Sequence, residues 1–324
     1  MLSKIEPSPL EATARFARYT VYGVTLLSRL RLNLPLAAGP SHQRIILDTA
    51  GPEAFRSAAA SVVPDPDGWY AHAVLGDGSL YMRWEDWFEF LVSSDGALVR
   101  CRNLSAVALD SFEAYLTNFA VSAALLQHGE EPLHATVVEI DGRAIGLIGQ
   151  SGAGQSTLAA YLIGQGASLV TDDMLRLTFE GGCALAHTGP QRLKLFEEPA
   201  SRFLRNAIGR GRFNPHSGKF LFEPGNSKAG RPALRLAALF HLDWPSENDP
   251  ADGVRTTQLT GGELFTAITA STMNSRIHLA PRLERQFRFA ERLARTVPVH
   301  RLSYPRRYEV IGRVAALIRG TAPS

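Results

Sequence analysis

Apolar and polar positions alternate in short runs through the first hundred residues. The runs fall at residues 19–26, 44–47, 79–83, 88–92 and 98–102, and the pairs Asp77-Gly78 and Asp95-Gly96 supply turn chemistry among them. Runs of this length, bounded by such turns, predict strands. The period then changes. Phe112, Leu116, Phe119, Ala123 and Leu126 recur at helical spacing, Asp110 and Glu113 stand as a capping box would place them, and Gly129 suits the position just past a helix end.

From Leu133 the order of elements is richer. A β-branched run at 136–140, the turn Asp141-Gly142 and a second apolar run at 143–148 lead into a glycine-rich loop. A helical stretch from about residue 155 to 165 ends at Gly166, and 168–171 reads as a strand. Strand, glycine loop, helix, strand is a βαβ unit. The break near residues 130–132 divides the chain into an N-terminal α+β domain, 1–131, and an α/β domain, 132–324. Farther on, 202–230 is rich in Gly, Arg, Asn and Ser and reads as a long loop or a hairpin with irregular ends. Residues 234–242 read as a buried strand, 281–295 as an arginine-rich amphipathic helix, 297–303 as a strand and 306–318 as a closing helix ended by Gly320.

At 324 residues the chain suits two domains of roughly 150 residues each. With 45% hydrophobic and 20% charged residues it is of ordinary globular composition, which excludes a largely disordered chain. Cys101 and Cys183 lie far apart without CxxC spacing, which offers neither a disulfide framework nor a zinc ribbon and suits a cytoplasmic protein. Lys4, Glu6, Pro7, Pro9, Glu11 and Arg15 interrupt any signal-peptide core, and no apolar run is long enough to span a membrane. The lysines are Lys4, Lys194, Lys219 and Lys228, and arginine supplies the rest of the 34 basic residues. A net charge of +3 does not by itself argue for nucleic acid, so neither nucleic acid nor membrane is expected as a partner.

The candidate chemistry sits in the loop Gly149-Gln150-Ser151-Gly152-Ala153-Gly154-Gln155-Ser156, followed by Thr157. It fits G-x-x-x-x-G-K-[ST] at every fixed position but one. Glycines let successive backbone N–H groups turn inward, and with the positive end of the next helix they form a phosphate cradle. Ser156 stands where a hydroxyl would ligate Mg²⁺. Gln155 replaces the lysine. It can donate a hydrogen bond but cannot neutralise charge, and losing one preorganised stabiliser costs about 3–4 kcal/mol. Such a loss slows an enzyme without abolishing binding, so a nucleotide-binding pseudokinase with a regulatory or scaffolding role is the alternative to an active kinase.

Asp172-Asp173 ends the strand after the helix. Paired carboxylates facing a phosphate cradle can divide two tasks: one, Asp172, holds Mg²⁺ and the other accepts a proton from the incoming hydroxyl. Lys219, in the turn His216-Ser217-Gly218-Lys219, is the first choice to supply charge that Gln155 lacks, with Lys194, Arg210, Arg212 and Arg231 behind it.

The stretch from Leu133-His134-Ala135 through Ile148, the loop, and Leu169-Val170-Thr171-Asp172-Asp173 resembles the catalytic domain of HPr kinase/phosphorylase in order and spacing. Those enzymes carry a histidine opening the strand, a P-loop and an Asp-Asp pair after the helix. Beyond this stretch the likeness is looser. No counterpart of that family's second signature follows the Asp pair, so phosphorylase activity is not implied. Tyr22-Gly23-Val24-Thr25-Leu26 is more similar to the HPr kinase-related proteins that tailor ribosomally made peptides. The resemblance implies an HPr kinase-like P-loop domain, ATP and Mg²⁺, a serine hydroxyl on a peptide or protein as acceptor, and His134, Asp172 and Asp173 at the catalytic centre. Homo-oligomerisation is left open.

Three weaker patterns compete. Ser151, the Asp pair and His187 follow the order of a hydrolase triad, although the Asp and His come too soon after the serine. Cys183 and His187 are four apart but lack further ligands. Tyr81, Trp84, Trp87, Phe88 and Phe90 suit a core or a peptide-docking surface.

Overall fold

The computed structural model describes residues 16–39, 43–62, 68–105, 108–225, 231–243 and 253–321. Its first sheet holds β1 (Ala17–Val21), β2 (Val24–Ser28), β3 (Arg44–Thr49), β4 (Tyr70–Val74), β5 (Leu80–Trp84), β6 (Phe88–Val92) and β7 (Leu98–Asn103), in the order β1-β2-β3-β7-β6-β5-β4. A short helix, α1 (Arg56–Ala60), lies between β3 and β4. The apolar run at 19–26 is two strands rather than one. Tyr22 and Gly23 turn the chain at φ 52° and 71°, the left-handed pair that a two-residue hairpin requires.

The helical segment that follows is α2 (Leu109–Tyr115), a π-helical turn (Leu116–Ala120) and α3 (Val121–Gln127). Its C-terminus is as expected: Gly129 sits at φ 83°, and the amides of Gly129 and Glu130 donate to Leu126 and Leu125. Its N-terminus is not. Ala108 is the N-cap, Asp110 lies inside the first turn, and no side chain caps the helix. Glu113 instead accepts from Arg192 at 2.9 Å and from the Asn33 amide at 2.7 Å, because a buried ion pair outcompetes an optional cap.

Two residues of α2 and the π turn, Tyr115 and Phe119, pack on Trp84 with ring centroids 5.1 and 5.2 Å away. Tyr81 packs in a separate small cluster with Phe55 and Ala58, whereas Trp84, Trp87, Phe88 and Phe90 belong to one larger core, Trp87 also lining a shallow cleft with Trp69, Asn214 and His216. The same core takes in Met174, Phe213, Leu221, Met273 and Ile277 from the second half of the chain. The two halves therefore share a packed apolar interior.

The second sheet begins with β8 (Ala135–Ile140) and β9 (Arg143–Ile148), then α4 (Gln155–Gly164), β10 (Ser168–Thr171), β11 (Leu177–Glu180) and β12 (Cys183–Ala186). A small antiparallel sheet interrupts it: β13 (Leu193–Phe196), α5 (Glu197–Phe203), β14 (Ile208–Arg212) and β15 (Lys219–Glu223), with β15 central. Residues 208–223 of the basic, glycine-rich segment thus form a hairpin, and its last residues, 226–230, lie outside the described residues. The main sheet resumes with β16 (Leu234–Asp243), β17 (Arg255–Gln258) and β18 (Val299–Ser303) around the helices α6 (Gly261–Ala270) and α7 (Arg282–Thr296). The last element, α8 (Tyr308–Thr321), contains Gly320 rather than ending at it.

Register decides what meets at the sheet's end. β16 runs parallel to β9 and β18, while β8 is antiparallel to both β9 and β10. Ile148 lies opposite Ala135, His241 beside Ile148, and Thr171 opposite Val137. The carboxyl ends of β9, β10, β16 and β18 and the start of β8 therefore share one edge, which is where open α/β sheets place their ligands. Among the described residues, no helix is long and apolar enough to cross a membrane.

Candidate functional site

The glycine loop leaves β9 at that edge and runs into α4. Gly149 has φ 145°, and a Cβ there would stand 2.9 Å from the Leu242 carbonyl of the neighbouring strand. Gly154, the N-cap, has φ 94°. Both positions demand glycine, one for close approach and the other for a left-handed turn. Ser151 and Gly152 are exposed, Ala153 is buried, and Ser156 and Thr157 are half-buried in the first turn of α4. Gln155 is 6% exposed, and its Nε2 donates to the Gly149 carbonyl at 3.1 Å. The side chain standing in for the lysine is turned back onto its own loop.

A cation reaches the loop from elsewhere. Arg306, in the connection between β18 and α8, donates through Nη1 to the Gly152 carbonyl. A Cβ on Gly154 would lie 3.7 Å from the same nitrogen and 3.4 Å from the Tyr304 hydroxyl. Nothing in the spacing of the loop motif pointed to either side chain.

Asp172 and Asp173 sit at the end of β10, both buried. Asp172 accepts from the Thr136 hydroxyl at 2.6 Å and from the Lys194 amide at 2.7 Å. Burial pushes its carboxyl above the usual carboxylate range, and the neighbouring Asp173 charge adds to the effect. Asp173 has φ 66°, a left-handed conformation that a non-glycine residue holds only when its surroundings fix it. Its Oδ1 accepts from Lys194 Nζ at 2.6 Å, and its Oδ2 from Asn118 Nδ2 at 3.0 Å. Burial alone would raise this carboxyl, but the Lys194 ammonium, with His134, holds it well below the usual range. His134 is less tightly engaged, with Nε2 3.7 Å from Asp173 Oδ1.

Lys194 rests over the Phe213 ring, 4.4 Å from its centroid. Lys219 lies over Phe196 at 5.4 Å, and burial, then Lys194, lowers its affinity for a proton. Asn118 is supported in turn by Tyr22, whose hydroxyl donates to Asn118 Oδ1 at 3.1 Å. The N-terminal half thus contributes to the acidic pair through a residue of the π-helical turn. Such turns recur at functional sites, and a lone asparagine in an apolar helix was the one sequence signal available.

The competing patterns come apart. His187 Nε2 faces Thr178 Oγ1 at 2.9 Å and its ring crowds Gly23, so Ser151, the Asp pair and His187 make no triad. Burial lowers His187 to about 4, with Arg176 adding to the effect. Among the described residues, no three His, Cys, Asp or Glu side chains cluster as a metal site. On α7, Arg288 and Arg295 pair with Glu284 and Glu291 one turn away. A cavity of about 580 Å³ lined by Leu264, Phe265, Phe287 and Ala290 shares no residue with the loop or the acidic pair.

No family model matches the chain. No curated protein matches it either. Among solved structures, it is similar to the Hpr(Ser) kinase/phosphatase from Coxiella burnetii, with TM-score 0.31 and 15% identity over 58% of this chain and 94% of that one.

Proposed function

We propose that the chain binds Mg·ATP at the Gly149–Ser156 loop and transfers the terminal phosphoryl group to a serine hydroxyl of a peptide or protein. The observation that carries this reading is the shared sheet edge. The loop leaves β9 where β10 ends in Asp172-Asp173 and β8 begins after His134. Gly152, where a Cβ would meet nothing within 4 Å, leaves room for phosphates to approach the loop backbone. Ser156 and Asp172 would hold Mg²⁺, which when bound neutralises charge on the phosphate oxygens.

The rest is positioning. Asp173, fixed by Lys194 and Asn118, would orient the serine hydroxyl. A carboxylate kept this acidic takes the proton only as the oxygen bonds to the γ-phosphorus and the β–γ bridging oxygen departs with ADP. His134, with Nε2 3.7 Å from Asp173 Oδ1, would share that proton, and Lys219 would bring charge from the hairpin. The alternative, a nucleotide-binding pseudokinase, is favoured by one observation: Gln155 is turned away onto the Gly149 carbonyl.

Calorimetric titration with Mg·ATP, followed by phosphate transfer to a serine-containing peptide library, tests both. Binding with transfer that Asp173→Asn abolishes supports the kinase. Binding without transfer supports the pseudokinase, and absence of binding ends the nucleotide reading.

A further inference from the structure

We infer that Arg306 is the phosphate-binding cation of this loop, taking the place of the lysine that Gln155 displaces. The inference rests on the nucleotide reading above and assigns a role to a residue outside the motif. Three observations carry it. The guanidinium is bonded to the loop itself, at Gly152, and reaches Gly154 at the helix N-terminus. The side chain at the motif's lysine position is buried and points back at Gly149. Lys194, the ammonium nearest the acidic pair, is committed to Asp173.

Arg306 is delivered by tertiary structure. β18 lies parallel to β16, which lies parallel to β9, so the residues following Ser303 emerge beside the loop that follows Ile148. Tyr304 is buried against Gly154 and fixes the start of that connection. A guanidinium carries five N–H donors in a planar fork, so it can brace a loop carbonyl and still address phosphate oxygens. A guanidinium keeps its charge at neutral pH.

The test is a double-mutant cycle read by calorimetry with two probes, Mg·ATP and magnesium tripolyphosphate, the second lacking base and sugar. Arg306→Gln is expected to weaken both about 10- to 100-fold, the worth of a charge-assisted bond. Arg306→Lys should retain most of the affinity. Gln155→Lys should improve binding more in the Arg306→Gln background than in the parent, because the two cations serve one task. Equal binding by parent and Arg306→Gln overturns the inference. So does a loss confined to Mg·ATP, which would place Arg306 on the nucleoside, or an identical gain from Gln155→Lys in both backgrounds, which would make Arg306 a brace. If the parent binds neither probe, the nucleotide reading itself has failed.

Discussion

Asn118 Nδ2 donates to Asp173 Oδ2 across 3.0 Å, although the two residues are 55 positions apart and on opposite sides of the chain's compositional break. Tyr22 holds the other end of the amide. The bond favours the ionised carboxylate, so removing it raises the carboxyl's proton affinity. Asn118→Leu is expected to lower kcat for phosphate transfer about tenfold, the worth of one such bond, with little change in KM for Mg·ATP. An unchanged kcat, or a KM for Mg·ATP that rises in step with the loss, would overturn that role.

Lys194 and Asp173 form a pair whose side chains are 15% and 8% exposed. Breaking a buried pair by deleting one partner strands the other charge, at about 3–5 kcal/mol. Asp173 has a depressed folded-state pKa, so its contribution is complete above the unfolded carboxylate value of about 3.9 and is lost as pH falls through the folded value. Lys194→Met should therefore be most destabilised near neutral pH, and the gap to the parent should narrow on acidification. Urea unfolding at several pH values checks this. A gap independent of pH would mean that the loss comes from packing against Phe213.

How much of this was legible beforehand follows from where each partner lies. The glycine loop, α4, β10 and the Asp pair occupy one continuous stretch, so local spacing exposes them. Asn118 and Arg306 reach the same edge only through packing and sheet register, and neither has a neighbour in sequence that marks it. The turn at Tyr22-Gly23 has no signature in the sequence, because a tyrosine at positive φ carries no turn signal. β4 has none either, because its alternation, Tyr70-Ala71-His72-Ala73-Val74, contrasts weakly. The capping box at Asp110 and Glu113 failed for a tertiary reason, since Arg192 claims the glutamate.

Gly154 combines φ 94° with a Tyr304 hydroxyl 3.4 Å from where a Cβ would stand. Alanine there costs about 1–3 kcal/mol of backbone strain and crowds the face of the loop that Arg306 braces. Gly154→Ala should lose measurable Mg·ATP binding while its circular dichroism spectrum remains that of the parent. Unchanged affinity in a folded variant would remove the loop from the nucleotide reading.

Lys219 offers a separable test of stability and activity. Burial and the nearby Lys194 lower its folded-state pKa, with Asp173 and Asp172 opposing. A base with a depressed folded pKa binds more protons unfolded than folded, so stability rises with pH across the window below its ordinary value of about 10.5. At neutral pH the group is therefore a liability, and Lys219→Met should stabilise the protein by about half a kcal/mol, the scale of a partly screened like-charge contact. On the proposed kinase reading the same substitution removes a cation that would serve the acidic pair, so phosphate transfer should fall while Mg·ATP binding holds. Thermal unfolding at neutral and alkaline pH, with transfer assayed in parallel, reads both effects. A gain in stability with full transfer would confine Lys219 to the hairpin, and a loss of stability would show that its contact with Phe196 outweighs the repulsion.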